Sequence, residues 1–377
     1  MSNNFSRGAA GMPGFAPGSR VAGYRIEERV GAGGMAVVFR AVDERLGRRV
    51  ALKVLAPTLA ADSAFQKRFI RESRAAAAVD DPHIIPVYEA GEADGALFIA
   101  MRFVPGGDVG QLIRGGAKLP PARAVPIISA VASALDSAHA AGLVHRDVKP
   151  ANILVDARPG RADHVYLSDF GLSKPALTSF DLTGSGIFIG TLSYSSPEQL
   201  EGRAVDGRAD QYSLACAAFE MLAGSPPYVR AQGAAVIWAH KYDQPPTLSS
   251  LAPGCNPAAD AVLARALAKR PGDRFPCCGD FAAQLRAALA DRLPEAAALP
   301  DTTPHPVPRA PVVAEAPDPG RSADTVVRAA ARARPGRTSA PAPVRTFPLS
   351  PPAAEPGSAP AAAAPPLRPR RRPWRPR

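Results

Sequence analysis

The stretch "HRDVKPAN", His145 to Asn152, sets an acid, a lysine and an amide in one polar island between the apolar runs "AGLV" and "ILV". A surface turn supplies polarity of that kind, and so does the working loop of an enzyme. A second acid decides between them: Asp169 in "LSDFG", Leu167 to Gly171, follows Asn152 by 17 residues. Between the two, "NILV" and "HVYLSD" read as short strands around the turn "DARPGRA". Such a hairpin brings Asn152 and Asp169 to one end. Two oxygen ligands there suit Mg²⁺, which takes few protein ligands and completes its shell with phosphate and water. One acid alone reads as a solvated turn residue; the whole set in this order does not.

Upstream, "YRIEERVGAGGMAVVFRAVDERLGRRVALKVLA" from Tyr24 reads as strand, glycine-rich turn, strand, a turn at Leu46-Gly47, and strand. A glycine pattern alone is weak, since a dinucleotide-binding turn begins in the same way. That turn must open a helix at once, whereas "AVVFRAVD" alternates like a strand, so a glycine flap over phosphates fits better. Lys53 stands in the middle of the apolar strand "VALKVL". By itself it reads as a snorkelling edge lysine. Glu72, in "RFIRES" on the following helix, is an acid placed to pair with it and fix it against a nucleotide's phosphates. That helix, "DSAFQKRFIRESRAAAAVD", opens at Asp62-Ser63. Short strands return in "HIIPVYEAGEADGALFIAMRFV", with a turn at Asp94-Gly95.

Beyond "PGGDVGQLI" the pattern turns helical. "PARAVPIISAVASALDSAHAAG" is an amphipathic helix ended by Gly142. "DQYSLACAAFEMLAG", "NPAADAVLARALAKR" and "GDFAAQLRAALADRL" follow, and close the folded region near Leu293. The expected layout is an unstructured segment at 1–22, one domain at 23–293 whose lobes meet near 104–105, and an extended tail at 294–377. Of the 42 prolines in the chain, 21 fall from Pro294 onward. They remove backbone donors, and the tail's apolar content is mostly alanine, too little burial to offset chain entropy.

The formal charge of +11 is mainly a tail property, since 13 Arg face 6 Asp and Glu from Pro294 onward. It gives no reason to expect nucleic-acid binding. Cys216, Cys255, Cys277 and Cys278 have no paired spacing and complete no zinc pattern with the six histidines, which fits a reduced, cytoplasmic compartment. The N-terminus lacks a continuous apolar h-region, and the sequence has no charge-free apolar run of membrane-spanning length.

At this point the sequence resembles the protein kinase superfamily over roughly residues 24–290. Gly31-x-Gly33, Ala51-x-Lys53, Glu72, "HRDVKPAN", "DFG", "SPE" at Ser196 to Glu198, Asp210 and Arg274 occur in that family's order. "GAGGMAVVF", "HRDVKPANIL" and "GTLSYSSPEQL" look most like the bacterial serine/threonine kinases of eukaryotic type. The resemblance implies an α+β, two-lobed kinase fold with a small β-rich N-lobe bearing one regulatory helix and a larger helical C-lobe. It implies ATP-dependent phosphorylation of serine or threonine in proteins, with Mg²⁺ or, alternatively, Mn²⁺.

Carried over residue by residue, Asp147 would accept the hydroxyl proton and Lys149 would face the transferred phosphoryl group. Asn152 and Asp169 would hold the metal. Val30, Gly31, Ala32, Gly33, Gly34, Met35, Ala36, Val37 and Val38 would form the flap, and Lys53, braced by Glu72, would hold the α- and β-phosphates. Adenine would lie between Val38 and Ala51 above and Leu154 below. Met101 would stand behind it, and Arg102, Phe103 and Val104 would form the hinge along its edge. Asp210 would brace the catalytic loop, and Glu198 with Arg274 would form a structural ion pair.

Thr191 matches a serine/threonine acceptor site, and Thr183 and Ser185 match autophosphorylation sites whose phosphate would find Arg146. Three small-for-small departures stand out: Ala36 at the third flap glycine, Ser196 before "PE", and Ala215 after "YSL". The final "LRPRRRPWRPR" admits three readings: a soluble kinase with a basic tail, a protein held at anionic lipid, or a receptor kinase truncated before its membrane helix. An N-lobe homodimer is implied by resemblance alone. The rival from another class is a pseudokinase scaffold that binds nucleotide without chemistry.

Overall fold

The computed structural model describes residues 15–33, 36–157, 160–170, 192–252 and 256–290, and the backbone of Arg345–Thr346. Its first part is an antiparallel sheet. The strands are β1 (Arg20–Val21), β2 (Tyr24–Ala32), β3 (Ala36–Asp43), β4 (Arg48–Leu55), β5 (Val87–Ala93), β6 (Ala96–Arg102) and β9 (Arg345–Thr346), in the order β1-β2-β3-β4-β6-β5-β9. The expected turns are present: Gly47 has φ 65°, and Asp94 and Gly95 have φ 51° and 71°, the left-handed pair that a two-residue hairpin requires.

The central strand β4 is buried from Val50 to Leu55. One face carries Val50, Leu52 and Val54 into a core with Tyr24, Ile26, Phe39 and Phe98. The other face carries Ala51, Lys53 and Leu55, because side chains alternate along a strand. Leu55 packs there with Phe65 and Phe69 of helix α1 (Ser63–Ala78). The expected helix start is built as read: the Asp62 side chain accepts from Ala64 N at 2.9 Å and Phe65 N at 3.2 Å.

After the hinge come α2 (Val109–Leu112), α3 (Pro121–Ala140), the hairpin β7 (Ile153–Asp156) and β8 (His164–Leu167), α4 (Pro197–Leu200), α5 (Gly207–Ala223), α6 (Gly233–Tyr242), α7 (Pro257–Ala266) and α8 (Cys278–Ala288). Helix α5 is buried on nearly every side, and α3 packs against it and against α8. Gly142, at φ 75°, ends α3 as expected, with Leu143 N donating to Ala138 O at 2.9 Å.

Three details differ from the sequence expectation. Strand β1 lies inside the stretch read as unstructured: Arg20 and Val21 pair with Arg25 and Tyr24, and Val21 is buried. The turn that makes this register, Ala22-Gly23 with φ 51° and 84°, carries a weak sequence signal at Ala22. Helix α7 stops at Ala266, short of the read "LAKR", because Lys269 turns inward. Helix α6 was not anticipated at all.

Candidate active site

Asp147 lies on the loop between α3 and β7, and that loop is held from below by one carboxylate. Asp210, fully buried on α5, accepts from the backbone amides of His145 and Arg146, each at 2.7 Å, and from His139 Nε2 at 2.8 Å. Two amides converge on it because Arg146 adopts φ 65°. Gly207 permits the close packing beneath, since a Cβ there would lie 2.5 Å from His139 Nδ1. His145 is buried too. Its Nε2 donates to Ser168 O at 2.9 Å, so its Nδ1 is the acceptor for Asp147 N at 3.2 Å, and its ring packs 4.6 Å from Phe170.

On this support, Lys149 Nζ lies 2.9 Å from Asp147 Oδ2. Asn152 Nδ2 donates to Asp147 O at 2.7 Å and Oδ2 at 3.2 Å. With its nitrogen committed to two acceptors, the Asn152 amide presents Oδ1 away from Asp147. In the hairpin Ile153 pairs with Leu167, and Ser168 N donates to Asn152 O at 2.9 Å, so Asp169 leaves β8 at the end where Asn152 enters β7. Asp169 has φ 66°, and its Oδ1 lies 2.9 Å from Lys53 Nζ. One amide oxygen and one carboxylate at one end of a hairpin form a donor set that fits Mg²⁺ with phosphate and water as remaining ligands.

The expected Lys53–Glu72 pair is not formed. Lys53 pairs with Asp169, and among the described residues the nearest ion-pair partner of Glu72 is Arg71, at 3.9 Å. Burial pushes the Glu72 carboxyl above its usual range, against weaker pulls from Arg68, Arg146 and Arg71. Both acids lie within reach of Lys53 in sequence terms, and the geometry selects the one on the hairpin.

The residues read as an adenine pocket meet in one apolar cluster: Ala51 and Met101, with Val38, Phe103, Val104 and Leu154 packed around them. Ala51 and Met101 are direct cross-strand partners. Two further members, Ile85 and Tyr166, were not anticipated. Tyr166 faces Leu154 across the hairpin, so the two-residue period of the strand was the available signal. In the flap, Gly31 and Ala32 pair with Val38 and Val37, and Gly33 N donates to Ala36 O at 2.8 Å. Val30 is exposed. Gly34, Met35, Thr183, Ser185 and Thr191 lie outside the described residues.

Arg274 is buried, and all five of its N–H donors are used. It forks onto Glu198 at 2.7 and 2.8 Å and donates to the carbonyls of Ala268, Arg208 and Lys269. Nearby, Gln199 Nε2 donates to Arg146 O at 2.9 Å, linking α4 to the loop that carries Asp147.

A hinge between a curled sheet and a helical lobe, with lysine, two acids and an amide gathered at their junction, defines a protein kinase domain. Residues 24–281 match the protein kinase domain family, and the chain belongs to it. It is 46% identical over 290 residues to serine/threonine-protein kinase PknJ of Mycobacterium tuberculosis, covering 76% of this chain and 49% of that protein. To PknF of the same species it is 46% identical over 277 residues, covering 73% and 58%. The chain thus spans about half the length of the curated relatives it matches. The crystal structure of the M. tuberculosis PknI kinase domain matches with a TM-score of 0.59 at 39% identity, over 73% of this chain and 99% of that one.

Proposed function

We propose that this chain transfers the γ-phosphoryl group of ATP to serine or threonine hydroxyls of proteins, with a divalent metal. The observation that carries the proposal is the unbroken run of contacts from Lys149 through Asp147 and Asn152 to the hairpin end where Asp169 meets Lys53. Asp147 orients the acceptor hydroxyl and takes its proton. Lys149, 2.9 Å from Asp147, would face the transferred phosphoryl group. Asn152 and Asp169 would hold Mg²⁺, which would supply charge neutralisation at the phosphate oxygens. Lys53 would hold the α- and β-phosphates, with Glu72 as its brace. Phosphoryl transfer of this kind relies on positioning and charge, because its transition state is loose.

The supporting comparisons are with proteins named serine/threonine kinases. The test is incubation of the chain with radiolabelled ATP, Mg²⁺ and a generic protein acceptor, followed by phosphoamino-acid analysis. Phosphoserine and phosphothreonine are expected; label confined to phosphotyrosine, or none, would contradict the proposal. Autophosphorylation at Thr183 and Ser185 belongs to the same reading, with Arg146 as the phosphate's partner; mass spectrometry after incubation with Mg-ATP checks it.

The partner readings are finer. Among the described residues no helix is long and apolar enough to cross a membrane. The Arg-rich terminus is suited to anionic lipid, which cosedimentation with acidic vesicles, with and without residues 367–377, would detect.

A further inference from the structure

The segment joining the two lobes begins with a cation that belongs to one lobe and contacts the other. Arg102 is the last residue of β6, and its backbone amide donates to Pro86 O at 3.0 Å. Its Nη1 donates to the Tyr166 hydroxyl, and the guanidinium carbon lies 5.3 Å from that ring's centre. The neighbouring phenols of Tyr88 and Tyr166 hold its pKa above the ordinary arginine value. Tyr88 belongs to β5 in the sheet, while Tyr166 belongs to the β7–β8 hairpin beneath the hinge.

Each phenol is itself fixed. The Arg48 guanidinium lies 3.6 Å from the centre of the Tyr88 ring. Tyr166 is buried and meets His164 edge-on at 4.5 Å. His164 stacks on His83 at 5.2 Å, and His83 Nδ1 donates to Val165 O at 2.9 Å. Arg102 thus joins the end of the sheet to a run of rings in the hairpin. Its chain neighbours Met101 and Phe103 belong to the pocket cluster, as does Tyr166.

We propose that Arg102 is a positioning residue for the nucleotide: by tying the end of β6 to the Tyr166 phenol of the hairpin, it holds the hinge backbone in the geometry that meets the base. The inference rests on the reading of residues 102–104 as the adenine-facing hinge. A guanidinium suits the task because its planar fork serves a hydroxyl and stacks on a ring at once, which an ammonium does not. Without the pin, the hinge samples other geometries, and binding must absorb the cost of selecting one. Arg102 touches none of Asp147, Lys149, Asn152 or Asp169, so the consequence falls on nucleotide affinity more than on the chemical step.

The test is calorimetric titration of the full chain with Mg-ATP, with KM for ATP and kcat measured alongside, for Arg102→Ala, Arg102→Lys, Tyr166→Phe and the double variant Arg102→Ala/Tyr166→Phe. Arg102→Ala is expected to weaken ATP binding and raise KM about two- to five-fold, the range of a partly exposed cation–ring contact, with kcat nearly constant. Arg102→Lys should fall between, and the double variant should be no worse than Arg102→Ala alone. Unchanged affinity and KM in Arg102→Ala, or a fall in kcat alone, would overturn the proposal. Ala51→Trp, which fills the pocket, separates the two levels. If it binds ATP normally while thermal unfolding shows an intact fold, the hinge reading itself fails; if it blocks binding while Arg102→Ala changes nothing, only the pin fails.

Discussion

Glu72 is the residue whose sequence reading and structural setting diverge most. Its side chain is mostly buried, and among the described residues its nearest ion-pair partner is 3.9 Å away. Its pKa is raised by burial, so the folded chain holds that proton more tightly than the unfolded chain. Stability therefore falls as pH rises through the folded value. Glu72→Gln is accordingly expected to raise the melting temperature of the nucleotide-free chain at pH 7, while lowering kcat/KM about 10²-fold through a misplaced Lys53. A lowered melting temperature would mean that the carboxylate is stabilised by a contact this geometry lacks. Asp147, Lys149, Asn152 and Asp169 were legible as a group because their spacing dictates the hairpin that gathers them. The choice of Asp169 over Glu72 by Lys53 was not, since it depends on how closely α1 approaches β4.

Among the elements, α5 tests the architecture most sharply, since it carries the acid on which the catalytic loop hangs. Gly207 opens that helix with its backbone against the His139 ring. Gly→Ala in a helix ordinarily gains about 0.5–1 kcal/mol. Here the added Cβ collides with a ring that braces Asp210, and Gly207→Ala is expected to cost about 1–3 kcal/mol in urea unfolding. It should also reduce kcat, because His145 and Arg146 share that brace. The strands and longer helices were legible through their periods and caps, as with Asp62 before α1 and Gly142 after α3. Helix α6 was not: Gly233 opens it, no side chain caps it, and Trp238 and Tyr242 on it are exposed, so it has no clean apolar face.

Over the whole molecule, the larger lobe is organised around buried polar groups. Arg274 and Glu198 are expected to behave as a buried pair: Arg274→Ala should cost about 3–5 kcal/mol by stranding Glu198, whereas an exposed pair such as Arg20–Glu44 is expected to contribute little to stability. His240 is buried beside Lys269, and both effects push its pKa down, to about 3. The folded chain then binds fewer protons there than the unfolded chain, so this contribution to stability is present above the ordinary histidine value of about 6.5 and is lost as pH falls toward 3. Thermal melts from pH 7 to pH 4 should show a decline that His240→Gln flattens. The two-lobed α+β fold was legible because its motifs occur in one order along most of the chain.

Asp147 is proposed as the base of a phosphoryl-transfer site assembled by its own loop and the β7–β8 hairpin. The most direct measurement is radiolabelled phosphate transfer from ATP to a protein acceptor by the intact chain and by Asp147→Asn, with ATP binding by both checked calorimetrically. Equal binding and a loss of transfer of about 10²–10⁴-fold in the variant are expected. Equal transfer by both chains would contradict that role.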